Sequence, residues 1–297
     1  MTVVRPAVLP GAWYPADPAA LARTVDGFLA GADPDTLPVG RPRVGVAPHA
    51  GYAWSGPVAG RLYGLLTAVP VRRLVILAPN HRVRLGRPAL SGAAAFATPL
   101  GPVLVDTDAV ARLAAGGTFA VDDQSHRDEH AIEIQLPLAQ RCWQGSCPAI
   151  VPVLVPRLEA AQRAAAAAQL AELCDADTLL LVSTDLTHYG AGYGFVPFNT
   201  DIPAAIERLD TGALLRLLAG DGPGLLDYGR QTGITMCGLE AAALALGCGV
   251  PPGHQAALLG YARSGDRDQD YRMSVSYAAA LLTDGASPPG TPAGGTP

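Results

Sequence analysis

Residues 44–66 read "VGVAPHAGYAWSGPVAGRLYGLL", and the first half of that stretch decides the fold. Val44-Gly45-Val46-Ala47 is apolar at every position, so as a strand it must be covered on both faces. Pro48 stops it, because proline has no N–H to give to a sheet ladder. His49 follows at once, on a loop of small residues. Ser55 and Pro57 then signal a helix over 57–66, with serine as cap and proline in the first turn. Strand, short loop and helix make up the unit from which parallel sheets are built.

The unit recurs along the chain. Runs at 74–78, 150–155 and 179–183 are again apolar on both faces. Helices are expected at 18–29, where Asp17 caps and Pro18 opens the first turn, and at 107–115 after Asp106. Others are expected at 158–174, 203–209, 213–218 and 238–246. Two later apolar runs, 255–262 and 273–282, should add strands to the same sheet. The fold class is therefore α/β: a single domain over 1–285, with a largely parallel central sheet flanked by helices. The tail 286–297, "ASPPGTPAGGTP", has no apolar anchor and is expected to be disordered.

Composition narrows the function classes. The 297 residues are 49% hydrophobic and 16% charged, enough apolar material for a sizeable core. A net charge of −5 with no basic stripe argues against nucleic acid or a membrane surface as partner. The first fifteen residues lack the apolar region of a signal peptide. No apolar run is long enough to span a bilayer. Five cysteines, an odd number, do not suggest a disulfide framework. These features lead us to expect a soluble cytoplasmic protein with reduced thiols.

The polar residues gather at one edge of this scaffold. His49 follows the first apolar run, His81 follows the second through "APNH", and Asp185 and His188 follow the fourth in "STDLTHY". Ligands of open parallel sheets bind beyond the carboxyl ends of the strands. His130 and Glu133, in "DEHAIEIQLPL", share a helical face. Cys237 precedes a helix in "TMCGLE", with Gly238 allowing close backbone approach and Glu240 one turn on. Two neutral imidazoles and an anionic ligand can hold a transition metal, while a further His and Asp orient the ligands or carry protons. Taken singly, Asp185–His188 also has a reading as a helix cap, His130–Glu133 as a structural pair, and Cys237 as a buried small hydrophobe. His126 and His254 read as surface residues. Cys142 and Cys147 lack the second Cys/His pair that a metal knuckle needs. Nucleotide loops of the GxxxxGK[ST] or GxGxxG type are absent. Ser183 or Ser55 with His188 and Asp185 could form a triad, but there is no GxSxG elbow.

The motifs "RPAVLPGAWYPADPAAL", "PHAGYAWSGPVA", "LAPNHR", "TPLGPVLVD", "DEHAIEIQLPL", "VSTDLTHYG" and "TMCG" occur in this order over most of the chain. In them the sequence resembles the Memo family, also called AmmeMemoRadiSam system protein B. That family is similar in fold to class III extradiol dioxygenases, which are non-haem iron enzymes. The resemblance implies a divalent transition metal on His49, His81 and Cys237, with Fe(II) foremost and copper or zinc as alternatives. It implies His188 as the acid/base, and His130 and Asp185 in the same pocket. Cys237 stands where the dioxygenases keep a glutamate, and a thiolate is a softer ligand that favours Cu(I) and Zn. The cleft would take a small aromatic molecule or a peptide. Animal relatives bind phosphotyrosine peptides, and prokaryotic ones are often encoded beside radical-SAM and AMMECR1-like proteins. Three readings follow: a dioxygenase-like oxidoreductase, a non-catalytic metal-binding adaptor, and a zinc hydrolase.

Overall fold

Residues 3–285 are described by a computed structural model, and the tail expected to be disordered at 286–297 lies outside them. Six strands carry the main sheet: β1 (Pro42–Ala47), β2 (Arg73–Ala78), β3 (Ala149–Leu154), β4 (Thr178–Ser183), β5 (Gln255–Arg263) and β6 (Met273–Thr283). β1, β4, β2 and β3 lie side by side in that order and run parallel. Each is buried along nearly its whole length, as the doubly apolar runs require. β6 pairs antiparallel with β1, and β5 antiparallel with β6. Short strands Ala89–Leu90 and His188–Gly190 are also antiparallel to β3 and β6. The sheet is therefore parallel at its centre and mixed overall.

Successive residues of a strand face opposite sides, and two layers of helices follow from that. A side chain at Gly45 would meet Leu62 of α2 (Tyr52–Leu66), whereas Val44 approaches Gly249 of α6 (Leu239–Gly249). α1 (Pro18–Leu29) packs on α2, and α4 (Ala160–Ala171) packs on α6. α3 (His130–Glu133) is a single turn, and α5 (Ile202–Leu218) is continuous through the gap expected at 210–212.

Two features depart from the sequence reading. α2 starts at Tyr52 with Gly51 as its cap, so Pro57 sits inside the helix. Its missing N–H leaves the Ala53 carbonyl without an intrahelical donor, and the Arg267 guanidinium donates to that oxygen instead. Ser55 does not cap; its hydroxyl donates to the Ala50 carbonyl at 2.7 Å. A second sheet of Val4–Arg5, Ala95–Thr98 and Gly101–Leu104 was not expected from these short segments. Among the described residues no helix is long and apolar enough to cross a membrane.

Candidate metal centre

The strand register sets the site. Ala47 of β1 pairs with Ser183 of β4, so His49 and Asp185 leave the sheet at one edge, two residues past their strands. His81 leaves the same edge three residues past β2. His49, His81 and His130 each offer one ring nitrogen, all within 4.8 Å of one another, and the three could hold a metal ion. They open on a cleft of about 640 Å³, which His188, Asp185, Trp13, Trp54, Tyr193 and Tyr277 also line.

Hydrogen bonds fix which nitrogen each imidazole presents. Ser183 Oγ lies 2.6 Å from the Ala131 carbonyl and must spend its one proton there. His49 Nδ1, 3.1 Å from the same oxygen, is therefore the donor, and Nε2 keeps a lone pair. His81 Nδ1 lies 3.0 Å from Glu129 Oε1, and a carboxylate there likewise frees Nε2. His188 Nδ1 sits 3.0 Å from the Leu186 carbonyl and 3.2 Å from that of Thr235. Two acceptors require a proton on Nδ1, which leaves Nε2 basic.

Burial keeps the central rings neutral. Desolvation, then the neighbouring His81, pushes His49 down to about 3. Desolvation, then His49, does the same to His130. Burial works to raise Glu129, but the hydrogen bond from His81 outweighs it and holds the carboxyl at about 2. Burial pushes Asp185 up to about 6 against the pull of the His49 backbone N–H, which donates to its Oδ1 at 2.8 Å. Cys237, raised to about 12 by burial and then by Asp185, is a thiol here. Its sulfur lies 3.1 Å from His49 Nε2.

The expected residues are thus brought into one neighbourhood in different ways. His49, His81 and His130 cluster, Cys237 touches His49, Asp185 holds the His49 backbone, and His188 lines the cleft. His130 stacks on His81, with centroids 4.5 Å apart and planes 25° apart. His49 stands edge-on to His81 at 86°. In-plane lone pairs of His49 and His81 can converge on one ion, and His130 is likewise crossed by His49, at 89°. Those of stacked His81 and His130 run nearly parallel. His130 Nδ1 lies 3.1 Å from Glu129 Oε1 but off the hydrogen-bonding direction, and is left buried without a partner.

Other expectations are corrected. His126 is not a surface residue: it is 1% exposed, with Nε2 3.1 Å from the Ala89 carbonyl. His254 is half-buried on the Leu218 carbonyl. Glu133 points away from the rings, where it pairs with Arg5 and accepts from Val8 N, Leu9 N and Tyr14 OH. Glu240 pairs with Arg163 at 3.0 Å. Glu129 was missed as a site residue, and Ser183, considered only as a triad member, instead orients His49. The only signal was a glutamate at an N-cap, a place that favours Ser, Thr, Asp or Asn.

A family model described as Memo-like protein matches residues 5–281. A MEMO1 family protein of Methanopyrus kandleri is 34% identical over 289 residues, covering 93% of this chain and 97% of its own length. One from Pyrococcus abyssi is 33% identical, covering 80% and 86%. Protein MEMO1 of Xenopus laevis is 30% identical, covering 95% and 98%.

Proposed function

The chain belongs to the Memo-like protein family, and we propose that its cleft is a non-haem transition-metal centre serving an oxidoreductase. His49 Nε2 and His81 Nε2 would hold the ion, and Cys237, 3.1 Å from His49 Nε2, would supply the anionic third ligand as a thiolate. The observation that carries this reading is the pair of pinned imidazoles, each with Nδ1 tied to a hydrogen-bond partner and Nε2 left unprotonated, His49 Nε2 beside the Cys237 sulfur at 3.1 Å. Fe(II) leads as the metal, and the thiol admits copper or zinc. A bound metal of this kind would supply Lewis acidity and access to dioxygen chemistry.

The protein's own groups do the rest. Trp13, Tyr193 and Tyr277 wall a space suited to a small aromatic substrate. His188 Nε2 takes a proton from a substrate hydroxyl, and the two carbonyls on Nδ1 stabilise the imidazolium that results. Asp185 keeps His49 in place through the backbone. A second reading, a non-catalytic adaptor that binds a peptide, draws support from the 40% exposed Trp54 at the cleft mouth.

Elemental analysis and oxygen uptake test both. Protein loaded anaerobically with Fe(II) should bind it stoichiometrically and consume O₂ with a member of a catechol and phenol panel. His49→Ala should lose the metal and Cys237→Ser should weaken it. Stoichiometric metal with no uptake across the panel would favour the adaptor. Unchanged metal content in both variants would remove the site.

A further inference from the structure

A second cavity lies beyond the carboxyl ends of β2 and β3, the place where open parallel sheets bind ligands. Its volume is about 610 Å³, within the ordinary range of small-molecule sites. Four pieces of chain enclose it: Pro79 and Asn80 after β2, residues 155–159 leading from β3 into α4, the helix Gly222–Thr232, and the start of α6. None of its lining residues lines the histidine cleft. Cys237 lines this second cavity while its sulfur touches His49, so it stands between the two.

The walls are aliphatic, with Val155, Leu158, Leu226 and Leu239 and no aromatic ring. Most of the charged groups are already committed. Arg163 holds both oxygens of Glu240 at 3.0 Å and donates to the Leu158 carbonyl at 2.6 Å. Arg230 pairs with Asp227, and Glu159 is the exposed N-cap of α4. What remains over is a set of donors. The Arg157 guanidinium lines the cavity and makes no hydrogen bond or ion pair with another described residue. Asn80 Oδ1 accepts from Val83 N at 2.9 Å, and its Nδ2 is left buried without a partner. The first turn of α4 brings Ala160 to the same wall, where N–H groups have no intrahelical acceptor.

We propose that this cavity binds an aliphatic carboxylate. A surplus of donors selects an anion, and the planar guanidinium of Arg157 matches a carboxylate with two parallel hydrogen bonds. The Asn80 amide gains the acceptor it lacks. The hydrocarbon chain lies along Leu158, Leu226 and Leu239, out of water. A neutral chain of the same length would leave the guanidinium unpaired, and a cationic one would be repelled. The ligand touches none of the three imidazoles, so it binds with or without a metal in the histidine cleft.

Octanoate is the probe, titrated by calorimetry into the full chain as purified and again after chelation. Saturable binding of equal strength is expected in both, with octanol, octylamine and inorganic phosphate far weaker. Transferred magnetisation from isotope-labelled octanoate should reach the methyl groups of Leu226 and Leu239, not the rings of Trp13 or Tyr277. Arg157→Gln, at an exposed position, should weaken binding roughly tenfold or more. Arg157→Lys should recover part of the loss. The proposal fails if octanoate does not saturate, if octanol or phosphate binds as tightly, or if Arg157→Gln changes nothing. Contacts to Trp13 or Tyr277, or binding abolished by chelation, would place the carboxylate in the histidine cleft and overturn it as well. Should the arginine variants not fold, the wild-type contact map and the octanol comparison decide.

Discussion

Ser183 has one proton to give, and the Ala131 carbonyl takes it. The donation forces Nδ1–H onto His49 and turns its lone pair outward. Ser183→Ala removes that constraint while leaving the ring in place. Outer partners of this kind are worth roughly 10–100-fold in metal affinity. A competitive metal titration should show a loss in that range, with the fold intact by circular dichroism. His126 gives a second expectation, on stability. Burial, opposed by the Ala89 carbonyl, pushes it from 6.5 to about 4 in the folded protein. Between those values the unfolded chain binds the extra proton. The stabilisation is complete above 6.5 and is lost as pH falls towards 4. The slope is at most about 1.4 kcal/mol per pH unit. His126→Phe, with Phe96 already edge-on to the ring, should flatten that part of the acid limb. Urea midpoints of both proteins across the window measure the difference. Parallel curves would overturn the assignment.

Among the elements, α1 and α2 meet where glycine allows backbones to touch. A methyl group at Gly60 would lie 2.5 Å from both the carbonyl oxygen and Cβ of Phe28. Alanine favours a helix by about 1 kcal/mol over glycine, but forcing these helices apart costs roughly 1–3 kcal/mol. Gly60→Ala should therefore lower the urea midpoint, and a rise would show that the helices can separate freely. The same helices show what sequence reading reaches. α1 was legible to its ends because Asp17 Oδ1 accepts from Ala20 N at 2.7 Å, a purely local device. The start of α2 was not, because the donor that replaces the Pro57 N–H is Arg267, far along the chain. α5 read as two helices because Asp210 interrupts its apolar pattern. Yet Asp210 is buried and accepts from Thr187 and Tyr261. At the site, histidines delivered by strand ends were legible, whereas Glu129 and Ser183 act through partners that only tertiary structure supplies.

Over the whole molecule, the site joins pieces that are distant in the chain. The loops after β1 and β2 and the start of α3 bring His49, His81 and His130 together, and α6 brings Cys237. Glu133, 0% exposed, is on α3 as well. With Arg5, Val8, Leu9 and Tyr14 it clasps the N-terminal segment that places Trp13 4.6 Å from the His130 ring. Breaking such a buried pair costs roughly 3–5 kcal/mol, so Glu133→Gln should destabilise the fold without touching a ligand. No such arrangement exists in the unfolded chain, so a metal that binds here binds the folded state alone. Mass action then stabilises the fold by about 2.7 kcal/mol when free metal reaches 100 times its Kd. For a chain of this length each kcal/mol raises Tm by roughly 2–4 °C, which makes an anaerobic melting curve with Fe(II) a direct readout. Wild type should rise by several degrees, and so should Glu133→Gln from its lower baseline, because its imidazoles remain. His49→Ala should not respond at any metal concentration that moves the wild type. An equal shift in His49→Ala would place the ion elsewhere on the protein.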